Sequence, residues 1–184
     1  MPKQTLAEDT ILEKLNQQAD IHGLLKVAIK LINDSVNQLI LKVFRKEPHA
    51  IKFVIPSLVG KNGPLNDTSV CLKLLYALGI ITREDYEDIE LLMAIFDELE
   101  QDDKNYTYLD DEILGPISLL HDMILPPNWN YPPNNLQENG IVDTLKSSMY
   151  QNRYQQMIRS ALIIAITDLT LRIVNKQEID YFPE

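Results

Sequence analysis

The sequence predicts an all-helical protein folded as a single domain of about seven to eight helices, and three observations predict it. Apolar residues recur at three- and four-residue spacing rather than alternating as they would along a half-buried strand. Glycine and proline, six and ten in 184 residues, are sparse except in three places and leave long stretches free to coil. Hydrophobic residues make up 45% and charged residues 24%, a balance that buries a core and fits neither a disordered chain nor a disulfide-stapled one.

The first helix is expected from about Leu6 to Gln18, with Ile11, Leu12 and Leu15 on one face. A longer one follows from about Ile21 to Phe44. Its apolar stripe, including Leu24, Ala28, Val36 and Val43, is too wide for a coiled-coil seam, so it packs on more than one neighbour. Pro48 suits the first turn of a short third helix ending near Pro56, because a first-turn proline gives up no intrahelical N–H bond. Gly63 and Pro64 belong to a loop; Asn66 or Asp67 then caps a helix from Thr68 to Leu78, with Leu65 placed to staple against Val70, and Gly79 ends it.

Thr82 with Asp85 three residues on is a capping-box-like start, using Asp where Glu or Gln is usual. It opens a helix from Arg83 to Leu99 that turns Tyr86, Ile89, Met93 and Phe96 inward. Asp110 caps a turn before Gly115-Pro116, which restarts or kinks a helix running to Leu125. The run from Pro126 to Pro133 forbids helix, so residues 126–140 read as an extended arm with Trp129 and Tyr131 as its anchors. The last helix, about Asp143 to Asn175, is apolar all round between Ala161 and Ile166. Such a segment is enclosed by other helices or by a second subunit, and a homodimer is expected.

The net charge of −10 is local rather than general: residues 83–112 carry thirteen acidic side chains and two basic ones. Glu84, Asp85, Glu87, Asp88 and Glu90 open this block and form a candidate acidic docking surface. Lys42, Arg45, Lys46 and Lys52 make a thinner basic region, the candidate contact surface for a partner or for DNA. Several chemistries are excluded. His22, His49 and His121 are isolated and Cys71 has no ligand-spaced neighbour, so no metal is expected. No nucleophile elbow, dinucleotide fingerprint or P-loop occurs, and His121 and Asp122 are adjacent, where helical side chains do not face each other. Neither a cofactor nor an enzymatic activity is expected. The segment before Thr10 lacks a signal-peptide core, and Arg159, Asp168 and Arg172 interrupt the most apolar stretch; a cytoplasmic protein without a membrane span is expected.

Two helices joined at Gly79 look like a DNA-reading helix-turn-helix, but the charge rejects that reading. The N-terminal turns of the second helix, which would enter the major groove, hold four carboxylates and one arginine. The stretches Val36–Lys46 and Gly63–Gly79, with Tyr86-Glu87-Asp88-Ile89-Glu90, Asp110-Asp111-Glu112-Ile113-Leu114-Gly115-Pro116 and Arg153-Tyr154-Gln155-Gln156, resemble the bacterial mannitol operon repressor family in order and spacing. The resemblance implies an all-helical cytoplasmic protein that represses genes for mannitol uptake and oxidation without a recognised DNA-binding motif. Two mechanisms fit. In one, the acidic block or the Phe44-Arg45-Lys46 surface docks another regulatory protein or a phosphotransferase-system component. In the other, a dimer pairs two copies of the Lys42–Lys52 patch on operator DNA. The residues shared with the family, Gly63, Pro64, Asn66, Asp67, Thr82, Asp110, Gly115 and Pro116, read first as turn and cap chemistry.

Overall fold

The computed structural model describes residues 2–44, 47–102, 104–126 and 142–176, with side chains described from residue 7 in the first helix and from residue 148 in the last. Within them the α-helices are α1 (Pro2–Asn16), α2 (Ile21–Val43), α3 (Ile55–Val59), α4 (Thr68–Ala77), α5 (Arg83–Gln101), α6 (Asp111–Ile117) and α7 (Val142–Val174). A π-helical turn, Ala50–Val54, leads into α3, and a 3-10 turn, Pro64–Asn66, leads into α4. The described residues contain no strand, and no helix among them is long and apolar enough to cross a membrane.

Helix α2 is the hub because its wide apolar stripe has several neighbours to bury it. Leu24, Leu25, Ala28, Ile32, Val36, Leu39 and Ile40 are buried, and the helix packs on α1, α4, α5 and α7. Leu15 of α1, Leu72 and Leu75 of α4, Ile89 and Leu92 of α5, and Ile158, Leu162 and Ile166 of α7 join it in one core cluster. Each fully buried Leu or Ile contributes about 1.5–3 kcal/mol of transfer free energy, so this cluster and not helix propensity holds the bundle.

The ends of the helices are fixed by local chemistry. Asp20 accepts from Gly23 N at 2.6 Å to start α2, and Asp67, not Asn66, accepts from Ser69 N at 2.8 Å to start α4. Gly79 takes φ +71°, and the chain closes α4 with Ile80 N donating to Leu75 O at 2.9 Å. Gly63 is required for space: a Cβ there would lie 2.1 Å from the Leu58 carbonyl oxygen. Two cations satisfy helix-end carbonyls across the bundle. Arg159 Nη2 donates to Asn16 O at 2.8 Å and Gln18 O at 2.9 Å, and Lys42 Nζ donates to Val174 O at 3.3 Å.

Several expectations are corrected. Helical structure from Pro48 continues past Pro56 to Val59, because that proline falls in the first turn of α3, where no N–H is needed. Leu65 is buried but Val70 is 40% exposed, so the two do not staple; the Leu65 carbonyl accepts from the buried Cys71 Sγ at 3.2 Å instead. Helix α6 accommodates Pro116 and stops at Ile117 rather than near Leu125. Asp110 stands at its N-cap position without capping it: the carboxylate turns back to accept from Thr107 N at 2.6 Å and Thr107 Oγ1 at 3.1 Å. Gly115 would tolerate a Cβ, with nothing within 4 Å. The arm from residue 127 to 140, with Trp129 and Tyr131, lies outside the described residues, as do Arg45 and Lys46.

Candidate protein-docking surface

Helix α5 divides the acidic block between two faces. Its period places Asp85, Asp88, Ile89, Leu92, Ile95 and Leu99 inward, and Glu84, Glu90, Asp97 and Glu98 outward. Asp85 and Asp88 are only 1% and 3% exposed, so the acidic surface read from the sequence loses two of its five members to the interior.

Each buried carboxylate has a defined task. Asp85 completes the capping box, receiving Thr82 N at 3.3 Å while its own N–H donates to Thr82 Oγ1 at 3.1 Å. The same carboxylate accepts from Arg172 Nε at 2.7 Å, in the last turn of α7, and pairs at 3.3 Å with Lys176 Nζ just beyond that helix. Arg172 Nη1 also holds Asp122. Asp88 accepts from His121 twice, from the backbone N–H at 3.1 Å and from Nδ1 at 2.8 Å, while His121 Nε2 lies 3.7 Å from Glu87. Together these contacts tie α5 to the segment after α6 and to the end of α7.

The ionisation of the cluster follows from its partners. Burial opposes ionisation of Asp85, yet the Arg172 guanidinium, the Thr82 hydrogen bonds and Lys176 outweigh it and hold the carboxyl below its ordinary value. The hydrogen bond to Asp88 raises His121 above the usual imidazole value, with the Glu84 and Glu87 charges adding to it. Burial likewise opposes the charge of Arg172, and its hydrogen bonds to Asp85 and Asp122 more than compensate. Asp85 is therefore a fixed anionic anchor rather than a group poised to exchange a proton.

The outward face of α5 is different. Glu84, Glu90, Asp97 and Glu98 are exposed, and Arg83 reaches Glu87 at 2.6 Å one turn on. Tyr86 donates to Glu90 at 2.5 Å and stacks on Tyr76 of α4 at 4.9 Å between ring centroids, so an aromatic pair, with Tyr76 42% exposed, stands beside the carboxylates. Aromatic anchors within a charged rim are the usual make-up of a protein-docking surface. Of the four cations of the basic region, Lys42 and Lys52 are among the described residues. Lys42 is half-buried and committed to the end of α7, and Lys52 is exposed near the Phe53 ring, 5.4 Å from its centroid.

A model of the mannitol repressor family matches residues 7–174. The chain belongs to this family. It is 41% identical over 171 residues to the mannitol operon repressor of Escherichia coli (strain K12), covering 92% of this chain and 84% of that one. Its fold matches the mannitol repressor in the X-ray structure of the MtlR–HPr complex from Escherichia coli with a TM-score of 0.82, at 40% identity and over 92% of this chain and 99% of that one. A more distant relative, fumarase E of Escherichia coli (strain K12), is 26% identical over 172 residues, 89% of this chain and 94% of that one.

Sequence reasoning found the acidic helix and its cap but missed the partners that draw Asp85 and Asp88 inward. Arg172 lies 87 positions from Asp85, and His121 lies 33 from Asp88. Adjacent His121 and Asp122 lie in a turn beyond α6 rather than on a helix, and they diverge: one meets Asp88 and the other Arg172. The available signal was Arg172 in the last turn of α7, one of the charges that interrupt the most apolar stretch of the chain.

Proposed function

We propose that this mannitol repressor family member represses mannitol-utilisation genes by docking on another protein, a phosphotransferase-system component of the HPr kind, and that the outward acidic face of α5 receives it. The observation that carries this reading is that the relative sharing 40% of its residues over 92% of this chain crystallised in complex with HPr.

The geometry of α5 supports it. This helix stands where a helix-turn-helix would place its reading element, yet it packs on α2, α4, α6 and α7. Insertion into a DNA groove would require pulling Asp85 and Asp88 from their ion pairs, and the exposed Glu84 and Glu90 would repel phosphates. The same charges attract a basic protein surface and speed its encounter. A non-enzymatic role fits the higher identity to the repressor than to fumarase E and the use of the buried carboxylates as structural anchors. The alternative, operator binding through Lys42–Lys52, has one of its four cations engaged elsewhere, since Lys42 donates to Val174 O.

The test is calorimetric titration of the purified chain with Escherichia coli HPr at low and moderate salt, beside a Glu90→Lys, Glu98→Lys variant. Binding that weakens with salt, and falls about tenfold or more in the variant, is expected. Absence of binding to HPr, together with tight, competitor-resistant binding to DNA upstream of a mannitol operon, would overturn the proposal.

A further inference from the structure

Helix α7 was expected to be enclosed along its apolar stretch by other helices or by a second subunit, and among the described residues one side of it is left uncovered. Ile164 is 56% exposed and Met157 42%, while Ile158, Leu162 and Ile166 on the opposite side are buried in the core. At 100° per residue, Arg153, Met157, Ser160, Ala161, Ile164 and Asp168 fall on one outward stripe, and their spacing of three and four residues is that of a helix-packing seam. Ile124, 82% exposed, lines the same groove of about 580 Å³. Neither Arg153 nor Asp168 has an ion-pair partner among the described residues.

The stripe is self-complementary about its own midpoint. With a two-fold axis passing between Ser160 and Ala161, an antiparallel second copy brings Arg153 opposite Asp168, Met157 opposite Ile164 and Ser160 opposite Ala161. Every pairing is compatible: opposite charges at the ends, apolar side chains inside them, and the two smallest residues at the crossing, where close helix approach needs them. The charged pairs lie roughly 11 Å either side of the crossing point, at 1.5 Å per residue, within reach at the shallow crossing of about 20° that this packing class favours. A parallel arrangement would instead oppose like charges at both ends.

From this pattern we infer that α7 is an isologous dimer interface whose occupant is a second copy of this chain, paired antiparallel through Met157, Ile164 and two Arg153–Asp168 ion pairs. The outward acids of α5 do not line this groove.

Light scattering coupled to size exclusion on the full chain, across micromolar concentrations, tests this with three variants. Wild type is expected to be dimeric. Arg153→Asp and Asp168→Arg each turn two attractions into two repulsions, and each is expected to weaken the dimer about thirtyfold. The double variant restores opposite charges and is expected to dimerise as wild type does. Helical circular dichroism unchanged in all three separates loss of association from loss of folding. A monomeric wild type, a dimer indifferent to both single reversals, or a double variant no better than the singles would overturn the inference; the first of these leaves the groove to a different occupant.

Discussion

Replacing Asp85 with Asn tests whether the buried carboxylate anchors the bundle. The substitution keeps the shape but removes the charge that faces Arg172 at 2.7 Å and Lys176 at 3.3 Å. A charge-assisted hydrogen bond is worth about 1.5–3 kcal/mol net, and a capping box about 0.5–1 kcal/mol. Arg172 is 36% exposed, so water reclaims part of its charge once Asp85 is neutral, and the expected loss is about 2–3 kcal/mol. For a domain of this size that lowers Tm by roughly 5–10 °C. The pH dependence has a definite sign. The folded carboxyl ionises below its ordinary 3.8, so its contribution is complete above that value and is lost as pH falls through the lower folded value. Urea denaturation is therefore expected to show a constant gap between wild type and Asp85→Asn from pH 7 to about 5, narrowing only below about 4. Equal stabilities at pH 7, or a gap that persists unchanged into acid, would refute the anchoring role.

His121 has the opposite sign, because its partner raises it above 6.5: its stabilisation is full below that value and fades as pH rises through the folded one. His121→Gln is expected to cost no more than ~1 kcal/mol at pH 6, the ring being over a third exposed, and less at pH 9; a gap flat in pH argues against the ion pair with Asp88. Two glycines are expected to respond in opposite directions in thermal melts. Gly63→Ala drives a Cβ against the Leu58 carbonyl and costs about 1–3 kcal/mol, whereas Gly115→Ala, in open space within α6, gains about 0.5–1 kcal/mol. Hydration of fumarate, followed by its ultraviolet absorbance, is expected to proceed at the uncatalysed rate with this chain; turnover abolished by substituting a single residue would show that the chain is an enzyme.

Some of the architecture is local in origin, and there the sequence is sufficient. The Thr82–Asp85 box and the Gly79 stop each involve atoms within a few residues, so their chemistry reads directly from residue order, and the cap of α4 was narrowed to Asn66 or Asp67, of which the structure uses Asp67. The outward acids Glu84 and Glu90 were legible for the same reason, since periodicity and charge place them on a solvated helix face. Asp110 is the instructive local failure: cap chemistry and turn chemistry compete for one carboxylate, and Thr107 takes it.

The sequence by itself determined helix type, the approximate ends of most helices, the local concentration of acid and, through family membership, the regulatory context. Only the tertiary structure decided which acids are surface and which are anchors. Asp85 and Asp88 share a charge block with Glu84 and Glu90, and although the helical period sets them on the side of Leu92 and Leu99, nothing within that block says what neutralises them there. Arg172 and His121, remote in sequence and brought close by the packing of α7 and the segment after α6 on α5, draw two of the carboxylates inward. Likewise Lys42 read as a free surface cation until α2 and α7 set it beside the Val174 carbonyl. Charge counts along a chain report what must be neutralised or hydrated; which of the two happens depends on long-range neighbours, and those exist only after the helices pack.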